Sequence, residues 1–282
     1  MSTWREFLQE AQARMASCGI ESPQIESEIL ASEIGKVRRS ELFFLYNEEI
    51  TSATEKNMRE ALERRLKREP LQYITGTAPF RNVELSVNPA VLIPRPETEL
   101  LVSEALKYLP RNGRLADIGT GSGAIALSIA YERRDVQVVA VDVSSMALET
   151  AKRNQERLSL WGRVEFRLGD LTVPLQKGGE KYDVITANLP YVSEQEYACC
   201  QPEVKDFEPK LALVAENNGL ALILRLIHEA TDVLRSGGVL LLETGAEQTP
   251  AVAGAMNDAG YKNIAVKKDL TGRSRFVIGQ KP

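Results

Sequence analysis

Cysteine and histidine are nearly missing from this chain: three cysteines and one histidine in 282 residues. Cys199 and Cys200 are adjacent, an awkward arrangement for an ordinary bridge, and Cys18 stands apart. No CxxC or Cys/His spacing is present, so a disulfide framework and a zinc centre are set aside and no metal is expected. A dominant charge is also lacking. The 35 Lys and Arg residues stand against 39 Asp and Glu, a net charge of -4, which gives no global attraction to a polyanion, although a local basic patch stays open. Long apolar runs are lacking too. "GLALILRLI" is short and broken by Arg225, and the opening "MSTWREFLQEAQARM" is charged where a secretory signal needs an apolar stretch. The expectation is a soluble, cytoplasmic protein with no membrane partner and no direct nucleic-acid partner. Without a heptad seam in its charged N-terminal helices, it is expected to be a monomer.

What is present suits two domains, since 43% of the residues are hydrophobic, enough for substantial cores. Up to about residue 70 the apolar period is helical. Trp4, Phe7, Leu8 and Ala11 recur at that spacing, as do Ile25, Ile29, Leu30 and Ile34, then Met58, Leu62 and Leu66. Ser22-Pro23 is a helix start, Gly19 and Gly35 are candidate stops, and residues 51–54 offer caps. The run "RRLKRE", residues 64–69, reads as the solvated face of the last helix, with a polyanion contact as the sharper alternative. From Gly76 the pattern alternates through Phe80, Val83, Leu85 and Val87, which implies a hairpin-like connector. The predicted division is a helical domain over 1–75, a hairpin linker over 76–96 and a main domain over 97–282. Arg95, at the linker's exit, either faces a ligand or pairs with Glu97 and Glu99.

Beyond residue 111 strands and helices alternate: "GRLADIG" and "VQVVAVDV" read as strands, "GAIALSIAYE" and "SSMALETAKRNQERL" as helices, then "RVEFRLGD" and "YDVITANLPY" as strands. After a long loop come the helix "LALILRLIHEATDVL", the strand "GGVLLLETG", a helix around residues 251–259 and two last strands around Val266 and Val277. Such alternation implies an α/β fold with a mostly parallel sheet covered by helices on both faces. Ligands of these sheets bind at the carboxyl ends of the strands.

Chemically suggestive residues sit at those ends. In "DIGTGSG", residues 117–123, glycines let backbone approach a ligand closely while the next helix offers free amides. Gly119, Gly121 and Ala124 also satisfy GxGxxG/A, the dinucleotide fingerprint, and Asp142 ends the following strand about 20 residues on. A carboxylate there suits the vicinal hydroxyls of a ribose. Asp170 ends the third strand, either as a second ligand-facing acid or as a turn aspartate. The fourth strand ends in Asn188-Leu189-Pro190-Tyr191. A side-chain oxygen at Asn188 and the Leu189 carbonyl can each accept one N–H of a planar amine, with Pro190 stiffening the turn and the Tyr191 ring as a shelf. Taken alone, this is also an ordinary strand-ending turn. The histidine, His228, lies within a helix and reads as structural.

These motifs together make the sequence similar to the class I, S-adenosylmethionine-dependent methyltransferases, and within them to the protein glutamine N5-methyltransferases that modify peptide chain release factors. The generic part is "DIGTGSGAIAL", "VDVS" and "NLPY"; more specific are "LQYITGTAPFRNVELSVNPAVLIPRPETELLV", "EPKLALVAENNGL" and "DLTGRSRFV". The resemblance implies a helical substrate-recognition domain, a hairpin linker and a Rossmann-like seven-stranded sheet whose last strand is antiparallel. It implies S-adenosyl-L-methionine as cofactor, S-adenosyl-L-homocysteine as product and a class 1 peptide chain release factor as protein partner. By position, Gly119, Thr120, Gly121, Ser122 and Gly123 would surround the methionine portion, Asp142 with Val143 the ribose, and Asp170 with Leu171 the adenine. Asn188, Leu189, Pro190 and Tyr191 would form the catalytic and substrate-binding set, with Asn188 also beside the cofactor. The usual family motif is Asn-Pro-Pro-Tyr, so Leu189 is a departure: it supplies the same carbonyl with a less restricted backbone.

Three rivals carry different expectations. A DNA or RNA base methyltransferase, acting on adenine N6 or guanine N2, would need an extruded base and a basic strand-binding surface. An NAD-dependent oxidoreductase would leave residues 188–191 without a purpose. A non-catalytic interaction protein would bind the cofactor and yield no methylated product.

Overall fold

The computed structural model describes residues 2–176 and 179–282, and they separate into two compact units. The first comprises residues 2–77 and a later segment, Gln201–Phe207; the second comprises Ala78–Cys200 and Glu208–Pro282.

The first unit is helical: α1 (Trp4–Ser17), α2 (Pro23–Gly35), α3 (Leu42–Leu45), α4 (Ser52–Leu66) and α5 (Leu71–Thr75), joined by a helix from the later segment. Thr3 caps α1 in a capping box with Glu6, and Thr51 caps α4. Phe7, Met15, Leu30, Met58 and Leu62 are fully buried between the helices. Ile25, at a helical apolar position, is 48% exposed, because Leu30 and Ala31 already supply the buried face of α2. The run at 64–69 is a solvated face only in part: Arg64, paired with Glu69, and Lys67 are exposed. Arg65 is buried, held by Glu26 at 2.5 Å and Glu203 at 3.0 Å, while Arg68 pairs with Glu203 at 2.7 Å and donates to the carbonyls of Cys18 and Gly19. A guanidinium is tolerated in that interior because carboxylates meet its fork from two sides.

The second unit begins with a two-stranded sheet, β1 (Thr77–Phe80) and β2 (Val83–Ser86), followed by α6 (Thr98–Tyr108). Phe80, Val83 and Leu85 belong to the same apolar core as Leu101, Leu115 and Leu127, so this hairpin is a packed part of the unit. Then follow β3 (Arg114–Ile118), α7 (Ala124–Glu132), β4 (Gln137–Asp142), α8 (Ser145–Arg157), β5 (Val164–Leu168), α9 (Val173–Gln176) and β6 (Tyr182–Ala187). Two short helices, α10 (Glu194–Ala198) and the first unit's α11 (Pro202–Phe207), lead to α12 (Ala221–Val233), β7 (Leu234–Glu243), α13 (Thr249–Asp258), β8 (Lys262–Lys268) and β9 (Ser274–Gln280).

The sheet has seven strands in the order β5-β4-β3-β6-β7-β9-β8. The first five run parallel; β9 is antiparallel to both β7 and β8. The predicted α/β sheet with an antiparallel last strand is therefore the observed one. Helices cover both faces, and two apolar cores lie against them. Strand order reverses between β3 and β6, which opens a crevice at their carboxyl ends. No described helix is long and apolar enough to cross a membrane.

Candidate active site

At that crevice lies a cleft of about 610 Å3, within the range of small-molecule sites. Gly119, Thr120, Gly121, Ser122, Asp142, Val143, Asp170, Leu171, Asn188, Leu189 and Pro190 all line it. Residues from four strand ends thus meet in one place although 71 positions of sequence separate the first from the last. Gly123 and Tyr191 are not among the lining residues. Gly123 serves packing: a Cβ there would sit 2.8 Å from Leu127 and 3.2 Å from Ala151, so its absence lets α7 approach α8. The Tyr191 ring packs against the apolar core on one side of the sheet, and burial pushes its hydroxyl up to about 12.

The glycine loop is held rigidly. The amides of Gly119 and Thr120 both donate to the Val141 carbonyl, at 2.9 and 3.0 Å. Asp117, fully buried at the end of β3, accepts from the hydroxyls of Thr120 (2.7 Å) and Thr186 (2.9 Å). Desolvation raises its carboxyl to about 6 against the pull of those two donors. Asn154, on the buried face of α8, donates to the carbonyls of Ser86 and Ser122 and accepts from the Ser86 amide, which ties the loop to the hairpin with both N–H groups used.

Asp142 has two tasks. Its Oδ2 accepts from the Gly121 amide at 2.8 Å and its Oδ1 from the Ser144 amide at 2.9 Å, so it orders the loop and the start of α8 together. Burial raises its carboxyl, and these amides oppose the rise. Each oxygen retains a second lone pair for a ligand hydroxyl. Asp170 pairs with Arg225 at 2.8 Å, and Leu171 beside it takes a left-handed φ of 44° while buried. Val143, Met146 and Leu211 line the cleft with more than half of their surface uncovered, an apolar mouth suited to a planar ring.

The turn after β6 is fixed from three sides. Leu189 is 4% exposed, and its Cδ2 lies over Gly119, where a Cβ would come within 2.9 Å. The leucine therefore fills the gap between the two motifs. The Asn188 amide Nδ2 donates to Thr98 Oγ1 at 3.1 Å, and the Thr98 hydroxyl donates to Glu243 Oε2 at 2.8 Å. This leaves the Asn188 Oδ1 as an acceptor. Gln248 donates from Nε2 to the carbonyls of Tyr191 and Asn218, both at 2.8 Å, and Gly219 abuts the Tyr191 carbonyl. Val192 exchanges hydrogen bonds with Leu213 and Ala215. Of the two alternatives for Arg95, it lines the cleft, and its ion pair is with Glu208, at 2.5 Å, rather than with Glu97 or Glu99. Glu208 also accepts from the Ile93 amide, so it braces the loop that bears Arg95. Among the described residues, no group of three or more acidic, histidine or cysteine side chains is arranged for a metal.

Comparison with known proteins narrows what such a site serves. Residues 6–76 match the family model described as the PrmC N-terminal domain, and residues 110–274 match a methyltransferase domain. The chain is 39% identical over 261 residues to the release factor glutamine methyltransferase of Neisseria gonorrhoeae, covering 92% of this chain and 93% of that protein. It is 37% identical over 284 residues to the protein of the same name from Nitratidesulfovibrio vulgaris, covering 99% and 96%. The chain belongs to the release factor glutamine methyltransferase family.

Two solved structures share the fold with this member of the family. A T. thermophilus 16S rRNA N2 G1207 methyltransferase, solved with AdoMet and guanosine, is 18% identical with a TM-score of 0.53, covering 73% of this chain and 50% of that one. A methyltransferase from Pyrococcus furiosus is 21% identical with a TM-score of 0.51, covering 70% and 88%. Against this family background, the motif reading omits five residues that support the site: Thr98, Asn154, Glu208, Glu243 and Gln248. Glu243 carries a signal, a carboxylate ending the apolar run "VLLLE", and Asn154 a weaker one, an amide on the apolar face of a helix. Thr98, Glu208 and Gln248 have none, because their partners lie 30 to 145 residues away in the chain.

Proposed function

We propose that this protein transfers a methyl group from S-adenosylmethionine to the side-chain amide nitrogen of the glutamine in the Gly-Gly-Gln loop of a class 1 peptide chain release factor. One observation carries the reading: Asn188, whose amide NH2 is engaged by Thr98 and whose Oδ1 is left as an acceptor, lines the same cleft as the glycine loop and Asp142. Full-length identity to release factor glutamine methyltransferases supports it.

The cleft suits the cofactor. No atom lies within 4 Å of where a Gly121 Cβ would be, so the loop leaves room for a methionine chain at its backbone. Asp142 would hold the ribose, Val143 and Met146 would flank the adenine, and Asp170 with Leu171 would close its far edge. When bound, S-adenosylmethionine supplies a methyl carbon activated by a sulfonium. A glutamine amide nitrogen is a poor nucleophile because its lone pair is delocalised, so positioning must lower the barrier. Asn188 Oδ1 and the Leu189 carbonyl would each accept one N–H, which leaves the lone pair facing the methyl carbon. As the new C–N bond forms and the C–S bond breaks, sulfur keeps the bonding pair and nitrogen gains positive charge. The two acceptors stabilise that charge. The nitrogen then loses a proton to solvent and needs no dedicated base.

The deciding experiment transfers labelled methyl to purified class 1 release factor, to a copy with its loop glutamine changed to alanine, and to DNA and RNA. Label is expected on the intact factor and absent from the other three. Label on nucleic acid alone would overturn the substrate and favour a base methyltransferase.

Asp142→Ala tests the ribose role. Removing charge-assisted bonds worth about 1.5–3 kcal/mol each should weaken cofactor binding by about 100-fold, with a smaller change in the rate at saturation. Calorimetry beside initial rates checks it; unchanged affinity would place the ribose elsewhere.

A further inference from the structure

Behind the Asn188 turn lies a buried carboxylate that the transfer step does not use. Glu243 ends β7 with 2% exposure, and Thr98 at the start of α6 has 4%. The hydroxyl of Thr98 donates to Glu243 Oε2 and its oxygen accepts from Asn188 Nδ2. A hydroxyl has one proton, so the direction of the first bond dictates that of the second. With Glu243 ionised, the carboxylate can only accept; Thr98 must donate to it and offer a lone pair to Asn188. The asparagine then has to turn its NH2 toward Thr98 and its Oδ1 toward the cleft.

A protonated Glu243 removes that constraint. Its O–H can donate to Thr98, whose own proton is then free to point at Asn188. The asparagine amide can flip, putting its NH2 where a substrate NH2 must sit, donor against donor. We propose that Glu243, acting through Thr98, is the positioning residue that sets the orientation of the Asn188 amide, and that its ionisation makes the site competent. The inference rests on the reading of Asn188 as the acceptor for the glutamine NH2, but the relay itself exists whatever the substrate.

The surroundings of Glu243 place its titration where it matters. Burial is the main influence and raises the carboxyl to about 7; the Thr98 hydroxyl, Arg275 on β9 and Arg95 ahead of α6 pull it down, and Glu97 beside α6 pushes it up. Tyr191, on the strand-end turn, also feels the Glu243 charge. An acid whose value is raised by burial is ionised only above it, so the competent orientation is gained as pH rises through about 7.

Two readouts test this, one without substrate. In 15N spectra the Asn188 side-chain NH2, assigned by its loss in Asn188→Asp, should titrate with a midpoint near 7 in the unaltered protein and show no such titration in Glu243→Gln. In methyl transfer to release factor, kcat should fall on the acid side with the same midpoint, and this limb should be missing in Glu243→Gln. Thr98→Val should lower kcat about 10- to 30-fold, the equivalent of one lost hydrogen bond to a positioned group, with KM for the factor and cofactor affinity within about threefold. Thr98→Ser, which keeps the hydroxyl, should restore most of the rate and guards against a valine variant that folds poorly. An Asn188 amide indifferent to pH and to Glu243→Gln overturns the relay. An amide that titrates through Glu243 in a protein that methylates no release factor upholds the relay and overturns the substrate assignment.

Discussion

Asn188→Ala is expected to lower kcat for methyl transfer by about 100- to 1,000-fold, the scale seen when one preorganised polar group facing a developing charge is removed. The side chain is half-buried and makes one described hydrogen bond, to Thr98. Its loss leaves Thr98 still donating to Glu243, so the fold should be little affected. In the proposed site the cofactor would be held mainly by the glycine loop and Asp142, so affinity for S-adenosylmethionine should stay within about threefold, less than a kcal/mol. A rate effect without a binding effect is the signature of an interaction realised in the transition state. Single-turnover label transfer beside calorimetry measures both, and a variant that kept its rate would remove Asn188 from the chemistry.

Gly219→Ala should damage the protein through its backbone. Gly219 has φ 81°, and a Cβ there would meet the Tyr191 carbonyl oxygen at 1.9 Å, its carbon at 2.5 Å and Gln248 Nε2 at 2.7 Å. None of these can yield alone, since Gln248 bridges the Tyr191 and Asn218 carbonyls. The expected loss is about 3–5 kcal/mol, from left-handed strain of about 1 kcal/mol plus displacement of the strand-end turn. For a unit of this size that lowers Tm by about 10 °C. Gly76→Ala is the control: it has the same φ of 81° with nothing within 4 Å of the added Cβ, so it isolates strain from collision. Equal melting shifts for the two variants would show that the close approach of Gly219 to Tyr191 does not matter. The transfer rate should fall with Gly219→Ala even well below its melting point, because the same collision moves residues 188–191.

The two largest effects come from residues of unequal legibility. Asn188 can be found by reading along the chain: an amide, then Pro190 and Tyr191, ends an apolar strand, and strand ends are where parallel sheets bind ligands. Gly219 is the single glycine of the long loop after β6, but nothing beside it in the chain marks it as the point at which two backbones touch. The basic run at 64–69 shows the same limit from the other side. Its composition favours a solvated face, yet Arg65 is buried, since Glu26 and Glu203 approach from 39 and 138 positions away.

Local order is what sequence periodicity reports, because helix and strand periods, caps and glycine loops are encoded within a few residues of one another. That was enough for the alternating α/β unit, the carboxyl-edge position of the site, and the candidates Gly121, Asp142 and Asn188. The sequence pattern also carried the family resemblance, since its motifs are contiguous. Orientation and protonation belong to packing. Which way the Asn188 amide points depends on Thr98, 90 positions away, and Thr98 depends in turn on Glu243, a further 145. Burial among β7 and its neighbours pushes the carboxyl of Glu243 up to about 7, and desolvation is a property of the assembled interior that no short stretch of chain contains.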